Sequence, residues 1–132
     1  MSMQRRRHDM RDTYNRVMAK AWSGCTVQQA HSVPDAKALK SAVKRVWRKL
    51  AGKPCPLHLA IVKRGRSWVR YNIEKHRWEF RLNPKQGWHD VMHDVTHYLH
   101  SRLYPRDRSH CDRHLEMERL AAEIVVKNFF GE

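Results

Sequence analysis

Apolar residues recur at helical spacing in four stretches of the chain. The clearest begins at Ala36, where apolar residues at i, i+3 and i+4 positions alternate with Lys and Arg. Gly52 and Pro54 follow it, as is typical just past the end of a helix. We predict four helices, at about residues 10–22, 35–50, 88–103 and 112–129.

Between the second and third predicted helices, the pattern changes to that of β-strands. Residues 57–62 are mostly apolar, while 67–73 and 78–82 alternate between apolar and polar side chains. Short polar turns separate these segments, so we predict a three-stranded antiparallel meander. The order helix, helix, sheet, helix, helix predicts an α+β domain.

The length of 132 residues fits one domain with its own hydrophobic core. Residues 1–8 are polar and basic and predict a loose N-terminal arm, leaving residues 9–132 as the domain. Three cysteines without a CxxC pair favour free thiols in a reducing compartment. The N-terminal residues lack the apolar stretch of a secretory signal, and no apolar run is long enough for a membrane span. We therefore predict a cytoplasmic protein without a membrane partner.

The charge is strongly unbalanced, with 27 Lys and Arg against 13 Asp and Glu, a formal net charge of +14. A small protein with this charge tends to bind polyanions, of which DNA and RNA are the most common. Arg5, Arg6 and Arg7 are the candidate phosphate-binding residues, together with the lysine-rich helix at 37–49. The alternative is a basic surface that only keeps the protein soluble.

The candidate chemistry lies in the third predicted helix, at His93-Asp94-Val95-Thr96-His97. Positions i and i+4 share a helix face, so both imidazoles can reach one metal ion from a rigid frame. The spacing therefore predicts a zinc site. Its third ligand would come from the loop and helix that follow, where the candidates are His110, His114, Glu116 and Glu118.

Asp94 follows the first of the two histidines and is the candidate catalytic residue. With three protein ligands and a bound water, the site would be catalytic, and Asp94 would accept a proton from that water as a general base. Two other readings stay open. The metal could be purely structural, or His93 and His97 could be surface histidines on a basic helix.

A family resemblance is carried by the segment HDVTHYLHSRLYPRDRSHCDRHLEMERL. It resembles the HExxH…H core of small zincin metallopeptidases of the SprT-like group, over about residues 57–128. The resemblance implies a minimal zincin-like fold, a Zn²⁺ cofactor and hydrolysis of peptide bonds in a protein or peptide, with nucleic-acid-associated proteins as candidate substrates. It implies metal ligands at His93, His97 and His110, and a catalytic acid/base at Asp94.

The same resemblance implies that the strand before the active-site helix is an edge strand that pairs with an extended substrate. Trp78, Phe80 and Leu82 would then contact the substrate. The chain departs from the family at Asp94, where relatives carry Glu, whose side chain is one methylene longer. The alternative function is a basic nucleic-acid-binding protein with a structural metal site or no metal.

Overall fold

The computed structural model describes the backbone of residues 3–130 and the side chains of residues 11–130. Within this range the chain forms five α-helices and a three-stranded sheet, which confirms the predicted α+β class. The elements are α1 (Met3–Ala21), α2 (Val27–Ala30), α3 (Ala36–Ala51), β1 (His58–Ile61), β2 (Trp68–Asn72), β3 (Arg77–Leu82), α4 (Trp88–Leu103) and α5 (Asp112–Val125). A 3-10 turn, Pro84–Gln86, precedes α4, and a π-helical turn, Val126–Phe130, follows α5.

The N-terminal segment differs from its prediction. Helix α1 begins at Met3, so the backbone of residues 3–8, predicted as a loose arm, is helical. The side chains of Arg5, Arg6 and Arg7 lie outside the described residues, and their role toward nucleic acid stays a prediction. Helix α2 forms inside a segment predicted as a loop, because Thr26 and Gln29 make a capping box around its first turn.

Helices α3 and α4 follow their predicted bounds closely. Asp35 caps α3 by accepting a hydrogen bond from the Ala38 amide at 3.1 Å, and Gly52 ends it in the left-handed conformation at φ 73°. The apolar face of α4 is buried in the core at Met92, Val95 and Leu99. No helix within the described range is long and apolar enough to cross a membrane.

The sheet is mixed, with the strand order β1-β3-β2, so the predicted antiparallel meander is wrong. Strand β3 lies between a parallel partner, β1, and an antiparallel partner, β2. Phe80 shows this position, since it pairs with Leu59 on one side and with Val69 on the other. Local alternation reports which side chains share a face, but it carries no information about which strands pair.

The prediction that β3 is the edge strand is therefore also wrong. Its backbone is hydrogen-bonded on both sides, so it cannot accept a further strand. Phe80 and Leu82 are fully buried in the core, and Trp78, which is exposed, packs edge-on against Tyr71 of β2. The two outer strands of the sheet are β1 and β2.

Candidate metal centre

Four imidazole rings converge where α4 faces the beginning of α5. All six distances between their ring centroids fall between 5.0 and 6.2 Å. Imidazoles that share one tetrahedral zinc ion have centroids about 5 Å apart, given a metal–nitrogen distance of about 2.1 Å. We call this group the histidine cluster; its members are His93, His97, His110 and His114.

Two helices and one loop residue position the histidine cluster. His93 and His97 lie one turn apart on α4, as the i, i+4 spacing requires. His110 precedes α5 and adopts a left-handed backbone conformation at φ 60°, which costs a residue other than glycine roughly 1–3 kcal/mol. Its backbone N–H donates to Nδ1 of His114 at 2.9 Å, so the two histidines fix each other.

Two ring nitrogens in this cluster are buried without a hydrogen-bond partner among the described residues, Nδ1 of His97 and Nε2 of His114. An unpaired buried polar atom is unfavourable, and a metal ion is one partner that could satisfy it. Nδ1 of His97 has no other partner in the described part of the chain and is suited to bind a metal ion. His114 accepts a hydrogen bond at Nδ1, so its neutral ring carries the proton on Nε2 and cannot ligate through that atom without rearranging.

The candidate ligands are therefore His93, His97 and His110. No three members of the cluster bring ring nitrogens within 4.8 Å of one another among the described residues, so binding one ion would require ring rotations. His110 can do this because its residue is exposed to solvent as a whole, although its ring is partly desolvated by burial.

Glu118, on the same face of α5 as His114, orients His93. Its Oε1 atom lies 2.7 Å from Nδ1 of His93, and its Oε2 atom accepts a hydrogen bond from the hydroxyl of Tyr14 on α1. Burial alone would raise the pKa of Glu118, but the hydrogen bond and the charge of His93, together with the hydrogen bond from Tyr14 and the charge of His89, outweigh it and lower that pKa. The hydrogen bond to Glu118 in turn raises the pKa of His93.

The environment of His110 and His114, on the α5 side of the cluster, favours the uncharged form of both rings. Desolvation by burial lowers the pKa of His114 to about 4 and also lowers the pKa of His110. Neutral imidazole is the form that binds metals, so these rings need to release no proton at neutral pH. His93, His110, His114, Glu118 and Tyr14 line a cleft of about 800 Å³, which gives the cluster access to solvent.

Asp94 does not face an open site. Its carboxylate is buried, with Oδ1 accepting from Arg66 at 2.5 Å and Oδ2 accepting from Gln86 at 2.9 Å. Gln86 also accepts from the amide and hydroxyl of Ser67, which begins the approach to β2. Asp94 thus ties α4 to the segment before β2, a contact that its sequence position did not reveal.

Comparisons with protein-family models, curated proteins and solved structures found no match. The resemblance to small zincins therefore rests on the sequence segment alone.

Of the three remaining candidate ligands, two lie at the histidine cluster and one lies away from it. Glu116 is exposed and paired with Arg119, away from the cluster, whereas Glu118 and His114 belong to the site. Their i, i+4 spacing on α5 was the local signal for this. Tyr14 was not predicted, because its separation of 104 positions from Glu118 leaves no local pattern.

Proposed function

We propose that this protein is a zinc-dependent metallopeptidase whose metal is held by His93, His97 and His110. The observation that carries the proposal is the convergence of four imidazoles at 5.0–6.2 Å beside a solvent-accessible cleft. Zinc, when bound, would supply Lewis acidity and a water molecule with a pKa near 7.

The surrounding residues would prepare the site. Glu118 accepts the Nδ1 hydrogen of His93, which leaves Nε2 as the ligating atom, and Tyr14 holds the second oxygen of that carboxylate. Asp94 would serve as the proton acceptor only after Arg66 releases its Oδ1 atom. The Arg66 side chain is 73% exposed and can move into water, but its release leaves the buried Asp94 carboxylate with only the hydrogen bond from Gln86 and therefore costs stability.

In this proposal β2, and not β3, is the strand that would pair with an extended substrate peptide. Strand β2 is an outer strand, and Trp68 at its beginning packs edge-on against His97 with ring centroids 5.9 Å apart. An extended peptide that added to this edge would run past the histidine cluster. Trp68 is 42% exposed and would contact such a peptide.

The test combines metal analysis with proteolysis. The full chain, purified without chelator, should hydrolyse an unfolded basic protein, and a chelator should abolish this activity. His97→Ala should lower the zinc content by one equivalent per chain and remove the activity. His58→Ala, an exposed histidine on β1, is the matched control and should change neither. Unchanged zinc content in His97→Ala would refute the proposal.

Nucleic-acid binding is the second candidate function, favoured by the net charge of +14 and by the outer face of α3. That face exposes Lys37, Lys44, Arg45, Arg48 and Lys49. Binding to DNA or RNA should tolerate any sequence and weaken steeply with salt.

Replacing Lys44, Arg48 and Lys49 by Ala should reduce the slope of log affinity against log salt by up to about 3, roughly one for each lost phosphate contact. The paired substitution Lys63→Ala and Arg64→Ala, in the turn after β1, is the control. An unchanged slope in the α3 variant would exclude this face as the binding surface.

A further inference from the structure

A second group of metal-binding side chains lies beside the histidine cluster. Nε2 of His100 is 3.1 Å from Oδ2 of Asp107 and 3.3 Å from Sγ of Cys111. The thiol and the carboxylate oxygen are 3.7 Å apart. One imidazole, one carboxylate and one thiol therefore face one another at nearly equal distances.

These separations match the donor spacing around a single tetrahedral ion. With zinc–sulfur, zinc–nitrogen and zinc–oxygen distances of about 2.3, 2.05 and 2.1 Å, nitrogen and oxygen would lie about 3.4 Å apart, and sulfur about 3.6 Å from each. The observed distances of 3.1, 3.3 and 3.7 Å are within a few tenths of an ångström of these values. Unlike the histidine cluster, this group needs almost no rearrangement to close on an ion.

The fold holds the three donors from different directions. His100 lies near the end of α4 and is buried, Asp107 lies in the loop, and Cys111 is the N-cap residue of α5. The Cys111 side chain makes no capping hydrogen bond, so its sulfur is free to face the group. Asp107 is 27% exposed at its side chain, which leaves a route for solvent to a fourth position.

Two simpler interpretations of this group are a catalytic triad and an ion pair. A Cys-His-Asp catalytic triad needs the acid on one ring nitrogen and the thiol on the other, whereas here both contact Nε2 of His100. An ion pair is also present, since Nε of Arg113 lies 3.5 Å from Oδ2 of Asp107. That guanidinium competes for the same oxygen that an ion would use.

We propose that His100, Asp107 and Cys111 form a second divalent-metal site, separate from the histidine cluster, with a fourth position open to water. The mixed nitrogen, oxygen and sulfur donors suit zinc or cobalt rather than magnesium or calcium, which prefer oxygen alone. On binding, the thiol proton leaves to solvent and the sulfur ligates as thiolate.

Cobalt titration of the metal-free chain tests the site, because a thiolate bound to Co²⁺ gives a charge-transfer band that histidine ligands do not. The wild-type chain should develop this band, and Cys111→Ser should lose it. Serine is a favourable N-cap residue, so α5 should stay folded in the variant. Cys25→Ser and Cys55→Ser are matched controls and should keep the band, since both thiols lie elsewhere.

Three further variants separate the possible outcomes. His97→Ala should keep the band, which makes failure of this site distinguishable from failure of the proposed zinc peptidase centre. Asp107→Asn should weaken cobalt binding about tenfold or more, and Arg113→Ala should strengthen it about two- to fivefold by removing the competing cation. A wild-type chain without the band, or loss of the band in His97→Ala, would overturn the proposal of a separate site.

Discussion

Nδ1 of His93 lies 2.7 Å from a carboxylate oxygen of Glu118, and this contact joins α4 to α5 at the histidine cluster. A carboxylate on the non-ligating nitrogen fixes the tautomer of a histidine and makes the other nitrogen a better metal ligand. Glu118 is buried, so the contact is not exchanged readily for water.

Glu118→Gln should weaken zinc binding by about 10- to 100-fold, the usual cost of losing such a partner. The amide keeps the shape of the side chain but removes the charge that stabilises the ring hydrogen of His93. Competition of the protein with a chromogenic chelator would measure the change. Glu116→Gln, two residues away on the exposed face of α5, should bind zinc as the parent does; equal loss in both would mean that helix stability, not orientation, is affected.

Asp94 has two possible roles, which its variants distinguish. As a proton acceptor, its loss in Asp94→Asn should lower proteolysis by about 10²- to 10⁴-fold while zinc content and fold persist. Arg66→Ala should then raise the activity, because it frees Oδ1 of Asp94.

If Asp94 only ties α4 to the segment before β2, both variants should lower the melting temperature and neither should affect turnover by more than its stability loss. Circular dichroism melts beside steady-state rates would decide. Gln86→Ala reports on the tie alone, since Gln86 bridges Asp94 and Ser67.

The stability of the metal-free protein should depend on pH through His114. Its pKa of about 4 in the fold lies below the ordinary value of 6.5, so between these pH values the unfolded chain takes up a proton that the folded chain does not. The free energy of unfolding should therefore fall as the pH drops from 6.5 to 4, by up to roughly 3 kcal/mol from this residue.

His114→Asn should flatten this dependence, because Asn does not titrate and its side-chain oxygen can still accept the His110 amide hydrogen. Urea unfolding at a series of pH values, with chelator present, would measure it. The variant leaves a cavity and should be less stable at neutral pH, so the slope with pH, and not the absolute stability, is the readout. Parallel slopes for the two proteins would contradict the assignment.

Gly87 should tolerate substitution poorly. It begins α4 at φ 85°, and a Cβ atom there would lie 2.7 Å from the backbone oxygen of His31. Gly87→Ala should destabilise the protein by roughly 2–4 kcal/mol, from the positive φ, which side chains rarely adopt, and the clash together. Gly65 has a similar φ of 78° but open space around it, so Gly65→Ala should lower the free energy of unfolding by only about 1–2 kcal/mol. Chemical denaturation of the two variants would compare them.

The fold could be predicted where local signals determine it. The spacing of apolar residues gave α3 and α4 nearly to the residue, since caps such as Asp35 and Gly52 are local. The pairing of β3 with β1 could not be predicted, because it depends on which strand takes the central position, with a hydrogen-bonded neighbour along each edge. Phe80 and Leu82 are both fully buried, but a sequence of six residues does not reveal how its neighbours will pair.

The same limit applied to the candidate site. The pair His93 and His97 could be recognised because one helix carries both, and the region of the further ligands followed from its histidines. The contact of Asp94 with Arg66 could not be predicted, because the two residues are 28 positions apart in the chain and meet only in the folded structure. Side chains that meet across the fold are set by packing, which a single sequence does not display.

The rings of His100 and His114 are stacked, 4.8 Å apart and inclined by only 7°, although each belongs to a different candidate site. Because these two rings are in contact, cations bound at the two sites would lie close enough to repel each other. We expect negative cooperativity: the second ion should bind more weakly than the first, and by thermodynamic linkage the penalty is the same in either order. Added salt should reduce the penalty by screening. Cobalt titrations of the parent, His97→Ala and Cys111→Ser at low and high salt would measure this coupling, and identical affinities in parent and variants would show that the sites act independently.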